Sequence, residues 1–585
     1  MKDFLKMVLA CIVAFIIVSI LPMLIIMGIA TSFSSNTPVA PREAVLKIDM
    51  STLIINEQRE EDNPFSAFQG KVVHTIGIYD AVNAINAAAK DPAIKFLYLK
   101  PDGAQAGMAH FEELRVALTN FRNSGKAVIS YTESPTNGGY YLASASDKVY
   151  MTKHEGGMNM FNGVSSQMIF LKDVLDKLGV NVQLIRHGKY KSAGEMYVNS
   201  TPSPENTEQN LAMIQSIWSS WSNQIAQSRN ITTSELNEML DNLALNFPKD
   251  FVEHKLVDEL VTRDELKEKM VNLYSARDFS DVNMISLPNY IKIQDTKIKF
   301  KPRKVAVIFA NGNIVDGEDI MNISGDRFAE IISEVRRDKN VEAVVLRVNS
   351  PGGSVLASEK IKNELDLIKG TKPLIASYGN YAASGGYWIS NNCDYIYSNS
   401  TTLTGSIGVF SMIPDFSKTV QDKLHMNIAS VKSNKHADIY SLMRPLDKSE
   451  VAYMQASVES IYDRFTSIVA EGRNLEKTRV DEIAQGRVWS GTEAKEISLV
   501  DSIGTLEDAI AHALADINAS IDEVNIVAYP TPLTSFKILL QSLEPSDQGV
   551  FSGTALENVE QAFKDWSSAD YGKVYARMPY IYDFK

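Results

Sequence analysis

Two loops in the C-terminal half of the chain carry residues whose types and spacing suit acyl transfer. The first is Asn349-Ser350-Pro351-Gly352-Gly353-Ser354; the second is Tyr381-Ala382-Ala383-Ser384-Gly385-Gly386-Tyr387-Trp388. Paired glycines let neighbouring backbone N–H groups converge without a Cβ between them, and such donors at a helix N-terminus stabilise an oxyanion. Ser384, directly before Gly385-Gly386, stands where a strand-to-helix turn presents a nucleophile. The same residues also read as a plain turn at Pro351-Gly352-Gly353 and an N-cap at Ser384. Spacing does not separate the two.

A serine nucleophile needs a base. The eight histidines are His74, His110, His154, His187, His254, His425, His436 and His512, and none forms a catalytic motif with a neighbouring serine. No His-Glu-x-x-His or other zinc spacing exists, so no metal or other cofactor is expected. Cys11 and Cys393 are the two cysteines, too few for a CxxC metal site or a disulfide scaffold. A lysine in a low-dielectric site can serve as base, because its neutral amine accepts a proton at working pH. Spacing alone does not choose among the lysines.

The elements that must position these loops alternate in period. Ala343-Val344-Val345-Leu346-Arg347-Val348 is a short apolar run, as in a buried parallel strand. Phe328, Ile331, Ile332 and Val335 recur at helical spacing before it, and residues 357–368 do so after it. Leu374-Ile375-Ala376-Ser377 and Tyr395-Ile396-Tyr397 are again strand-like. This order implies βαβ units and a mostly parallel α/β sheet, with chemistry at the C-terminal ends of its strands.

The pattern occurs twice. At an offset of 247, Asp91 falls on Asp338, Ser130-Tyr131 on Ser377-Tyr378 and Gly138-Gly139-Tyr140 on Gly385-Gly386-Tyr387; at 246, Asp176-Lys177-Leu178 falls on Asp422-Lys423-Leu424. Ordered identities with a drifting offset are the mark of duplication with small loop deletions. We expect a stub and anchor at 1–34, one copy at 42–275, a linker at 276–301, a second copy at 302–530 and a tail at 531–585. Trp218 and Trp221 read as core, the apolar run 536–543 as a packed terminal helix, and Cys393 as a small buried residue.

From Met7 to Ala30 run 24 uncharged residues, enough to span a bilayer and longer than a secretory signal core. Lys2 and Lys6 precede the run and no Lys or Arg follows until Arg42, so the N-terminus is expected in the cytoplasm and the body on the exported side. The 585 residues hold 58 Lys and Arg against 71 Asp and Glu, and the net charge of −13 disfavours nucleic acid as a partner.

The chain resembles the signal peptide peptidase A (protease IV) family in its long, two-copy, membrane-anchored bacterial form, over roughly residues 40–530. The motifs that carry this are Arg347 to Ser354, Ala382 to Trp388, Leu403-Thr404-Gly405-Ser406-Ile407-Gly408-Val409-Phe410, Ala484-Gln485-Gly486-Arg487-Val488-Trp489-Ser490-Gly491 and, in the first copy, Gly188-Lys189-Tyr190-Lys191-Ser192-Ala193-Gly194-Glu195. The resemblance implies tandem Clp-protease/crotonase-like domains and a serine/lysine dyad: Ser384 as nucleophile, Lys191 as general base, Gly353 and Gly385 as oxyanion-hole donors, and Ser406 orienting the lysine. Lys189 is the competing base, and Met196 stands where the family has a proline. At these offsets Asn137 matches Ser384 and Ala437 matches Lys191, so each copy lacks what the other keeps. Glu195 must point away from the amine if Lys191 is to stay neutral.

The expected function is a membrane-anchored serine endopeptidase that degrades cleaved signal peptides and other apolar peptides on the exported, periplasmic side of the bacterial inner membrane, and the resemblance implies that it does so as a homotetramer. Two other readings compete, a crotonase-like acyl-CoA enzyme and a noncatalytic membrane scaffold. Against the first stands the exported body, since CoA is cytoplasmic; against the second stands retention of both halves of a split dyad.

Overall fold

A computed structural model describes residues 38–60, 73–531 and 573–578. The expected membrane helix and the apolar run 536–543 lie outside the described residues, and no helix among those described is long and apolar enough to cross a membrane.

The first copy is built on six parallel strands: β1 (Ala44–Asp49), β2 (Ile94–Lys100), β3 (Val128–Thr132), β4 (Lys148–Thr152), β6 (Glu259–Val261) and β7 (Met284–Ser286), ordered β6-β4-β3-β2-β1-β7. Two elements leave this sheet. One is β5 (Asn181–His187); the other is α1 (Pro204–Arg229), started by Pro204 behind an N-cap in which Ser203 accepts from Asn206 N. Helix α1 buries Met213, Ile217, Trp221 and Ile225, a stripe at helical spacing, and Trp221 stacks on Tyr141 at 4.3 Å as a core residue.

The second copy repeats the order. Its strands are β8 (Arg303–Asn311), β11 (Val341–Ser350), β13 (Leu374–Ala383), β14 (Tyr395–Ser398), β18 (Ser502–Ile503) and β19 (Val524–Tyr529), running β18-β14-β13-β11-β8-β19 and all parallel. Strand for strand this is the order of the first sheet. Both faces of β11 are covered, so nearly every residue of Val341–Ser350 is buried, which explains its unbroken apolar run. The stretch expected as a linker, 276–301, contains β7, the counterpart of β19, and the helix Leu287–Asp295, with Leu287, Tyr290 and Ile291 buried in the first core.

The second copy adds what the site needs. Strand β13 is ten residues long against five in β3, and its far end pairs with β15 (Leu403–Gly405), which pairs antiparallel with β17 (Val488–Ser490). A further sheet crosses between the copies: β5 of the first lies antiparallel to β16 (Val409–Asp415) of the second, from Val409 opposite His187 to Asp415 opposite Asn181. The same sheet runs through β12 (Gly352–Ser354) and β20 (Tyr575–Arg577) to β9 (Ile314–Val315) and β10 (Ile323–Ser324), in the order β10-β9-β12-β20-β16-β5.

A buried charge cluster locks the copies together behind these strands. Arg347 on β11 donates to Glu57 of the first copy at 2.7 Å and reaches Glu113 at 2.8 Å, while Glu57 also meets His110 at 2.8 Å. Burial alone would raise the Glu57 carboxyl, but the Arg347 guanidinium and the contact with His110 outweigh it and hold it at about 2. An unpaired charge here costs several kcal/mol, roughly 3–5 by analogy with other buried pairs, so the cluster fixes how one copy sits on the other.

Candidate active site

Strand β13 ends at Ala383, and the chain turns at Ser384 into a short helix, Gly385–Ser390. Ser384 has φ 56° and ψ −112°, a conformation that L-residues with a Cβ rarely adopt. The first copy has no such strain at the matching position. There the helix Asn137–Ala143 starts from Thr136 at φ −107°, and Asn137 is tied to the 162–163 loop, its amide nitrogen donating to Gly163 O at 2.8 Å. Of the matched pair Asn137 and Ser384, only the serine has a positive φ.

Strand β5 delivers the lysine. After His187 the chain enters a loop in which Tyr190 N donates to Gln485 O at 2.9 Å and Gln209 of α1 donates to Tyr190 O and to Ser192 Oγ. These contacts turn Lys191 inward, fully buried, with its Nζ 2.9 Å from Ser384 Oγ, 3.0 Å from Ser406 Oγ and 3.1 Å from Ser406 O. A neutral amine has two N–H donors and one lone pair. Two bonds to Ser406 use the donors and leave the lone pair for the Ser384 hydroxyl proton. Burial pushes Lys191 well below the usual lysine range, with no nearby carboxylate to oppose it.

Glu195 points away, as neutrality of Lys191 requires. Its carboxylate accepts from Arg186 at 2.9 Å, from the Ser203 hydroxyl at 2.9 Å and from Asn206 at 3.2 Å, and Arg186 also donates to Lys191 O at 2.7 Å. Lys189, the competing base, is exposed with its Nζ over the Tyr190 ring at 4.9 Å. Gly194 has φ +90°, where any other residue is strained, and a Cβ there would fall 2.7 Å from a Leu184 methyl. Ala437 of the second copy lies on an exposed loop, far from this role.

Of the two glycines named for the oxyanion hole, Gly385 follows the serine and opens the helix, while Gly353 sits in β12 opposite Ala576 and beside Ile314. Sequence reasoning passed over Gly352. Its φ is +97°, and a Cβ there would lie 2.6 Å from Gly385 N and overlap the Ala576 carbonyl oxygen. The first copy has no such turn: Asp102 instead caps the 132–134 backbone, accepting from Glu133 N at 2.6 Å. Two further glycines had no role assigned from sequence. Gly486 and Gly408 flank the lysine stem, and a Cβ on Gly408 would come 3.2 Å from Lys191 Cδ. Among the described residues, the hydrogen-bond partner of Ser384 Oγ is Lys191, and no histidine takes that place.

This arrangement can move a proton from a serine hydroxyl to an amine and hold charge beside backbone amides. A model of peptidase family S49 matches residues 120–277 and again residues 367–520. Protease 4 of Haemophilus influenzae is 36% identical over 463 residues, covering 77% of this chain and 75% of that one. Protease 4 of Salmonella typhi is 36% identical over 452 residues, covering 74% and 71%. The chloroplastic serine protease SPPA of Arabidopsis thaliana is 29% identical over 472 residues, covering 79% and 69%.

Proposed function

Because the chain belongs to peptidase family S49, in the form with two S49 repeats, we infer that it is a serine endopeptidase in which Ser384 is the nucleophile and Lys191 the general base. Its substrates are apolar peptides, among them signal peptides left in the membrane after secretion. The observation that carries the reading is the 2.9 Å approach of a fully buried lysine amine to the hydroxyl of a strained serine, each from a different copy.

Neutral Lys191 takes the Ser384 proton as Oγ bonds to a peptide carbonyl carbon, and the oxyanion is held by backbone N–H groups of Gly385 and the Gly352-Gly353 turn. Protonated Lys191, kept in place by Ser406, gives its proton to the departing nitrogen as the C–N bond breaks. Water, deprotonated by the same amine, then hydrolyses the acyl ester and frees Ser384. The two-copy α/β fold is read further as Clp-protease/crotonase-like, a class whose parallel sheet with covered faces both copies share. We also propose the anchor at residues 7–30, with the body on the exported side of the inner membrane and a homotetrameric assembly. The anchor rests on the uncharged run and the flanking lysines.

The test is direct. The full chain in detergent micelles is incubated with a synthetic signal peptide and the products are weighed by mass spectrometry; fragments must form with the native chain and be absent with Ser384→Ala. Fragments of equal yield from Ser384→Ala would refute the assignment.

A further inference from the structure

The sheet shared by the copies contains a strand from outside both. Strand β20 lies antiparallel between β12 and β16, with Ser354 opposite Tyr575, Gly353 opposite Ala576, Gly352 opposite Arg577, and Phe410 opposite Tyr575 on the other side. Beyond it, Met578 N donates to Pro351 O at 2.7 Å. Without β20, strands β12 and β16 would face each other across a gap one strand wide, beside Ser384. That is the geometry in which an extended peptide is bound by strand addition.

The tail therefore shows how a peptide lies in this cleft. Ala576 and Met578, two residues apart and on one face, are buried, while Tyr575 and Arg577 between and beside them are half-buried. The Ala576 carbonyl oxygen sits at the bare Cα of Gly352 and 3.0 Å from where a Cβ on Gly385 would be. It thus lies beside the residue that follows the nucleophile, and we take the bond after Ala576 as the one in register. Two residues on, the Met578 side chain is enclosed by Met213 and Ile217 of the first copy and by Ala383, Leu403 and Val488 of the second. The walls of this enclosure are apolar, so a carboxylate placed there would lose its water without gaining a partner.

We propose that this enclosure is a specificity pocket, and that the site selects an extended peptide with a small residue before the cleaved bond and a long apolar side chain as the second residue after it. The proposal rests on the peptidase reading above. It adds that the selection is made jointly by both copies, since α1 supplies one wall and β13, β15 and β17 the other.

Five peptides test it on the full-length protein. They share the core Val-Tyr-Ala-Arg-X with identical flanks, and X is Met, Leu, Phe, Gly or Asp. The expected kcat/KM for Met and Leu is about 10-fold above Gly and about 100-fold above Asp, with cleavage after Ala. In the Leu403→Ala chain, the ratio of rates for X = Phe over X = Met is expected to rise about 10-fold as the pocket widens. Equal rates for Met, Gly and Asp, or cleavage at another bond, would overturn the proposal. Binding of the same peptides to the Ser384→Ala chain, read by fluorescence anisotropy, separates it from the peptidase reading. Cleavage that survives Ser384→Ala defeats that reading alone, whereas a flat order of affinities across Met, Gly and Asp defeats the pocket.

Discussion

Gly486 presses its bare α-carbon against the backbone of Lys191: a Cβ there would lie 2.5 Å from Lys191 Cβ and 2.6 Å from its amide nitrogen. The lysine loop of the first copy is thus threaded against the 484–487 turn of the second, with Gly486 N donating to Ile407 O at 2.8 Å next to Ser406. Gly486→Ala must push the loop outward. We expect kcat to fall about 100-fold or more with KM changed less than about threefold, because a displacement near 1 Å at a proton-transfer pair has costs of that size. Gly370→Ala controls for backbone strain, since Gly370 has φ +84° with open space around it. It should cost about 1 kcal/mol of stability and leave kcat unaltered.

Burial of Lys191 as a neutral amine makes it a cost to folding. Its folded pKa is depressed, so below the unfolded value near 10.5 the unfolded chain holds a proton the folded chain does not. The penalty is absent at high pH and grows as pH falls from there toward the folded pKa. Lys191→Met is therefore expected to be inactive and to melt higher than the native protein at neutral pH, with the gap closing as pH approaches 10. Differential scanning calorimetry at pH 7, 8.5 and 10 checks both the sign and the trend; a lower melting temperature at pH 7 would contradict it.

Activity should carry the same ionisation. The active form needs neutral Lys191, so kcat/KM rises with pH through a single step lying below the ordinary lysine range and then levels. Ser406→Ala removes the hydroxyl 3.0 Å from Nζ and leaves the Ser406 carbonyl contact. It is expected to lower kcat about 10- to 100-fold, with KM little changed. A stopped-flow pH series on native and variant protein reads both.

Much of this was legible from residues alone. The apolar run 343–348 and the helical stripes around it announced parallel strands, and the two offsets announced duplication. What escaped has a physical reason in each case. Strand β7 has three residues, Met284–Ser286, too short for any period to register within 276–301. Glu57 and Arg347 stand 290 positions apart, and neither is apolar, so no local pattern marks them as a buried pair. Gly352 and Gly486 were visible as motif glycines, but only the packing shows which backbone each one admits. Strand β20 is three residues long and is defined by the two edges it fills rather than by its own sequence.

Removal of the buried Arg347 charge tests how the copies are held. Arg347→Met leaves Glu113 without its cation and Glu57 with only the His110 contact, and the expected loss is about 3–5 kcal/mol in urea unfolding. Glu57→Gln in the same background should recover part of that loss, since it removes one of the stranded charges. A midpoint unchanged by Arg347→Met would show that the cluster does not bear on stability.

The central claim is that Ser384 is activated by Lys191 across the two copies. Labelling of the full chain with a serine-directed fluorophosphonate, followed by peptide mass mapping, measures this most directly. The account predicts a single adduct on Ser384, with a labelling rate that falls about 1,000-fold or more in Lys191→Met. An adduct on another residue, or an equal rate of Ser384 labelling in Lys191→Met, would contradict it.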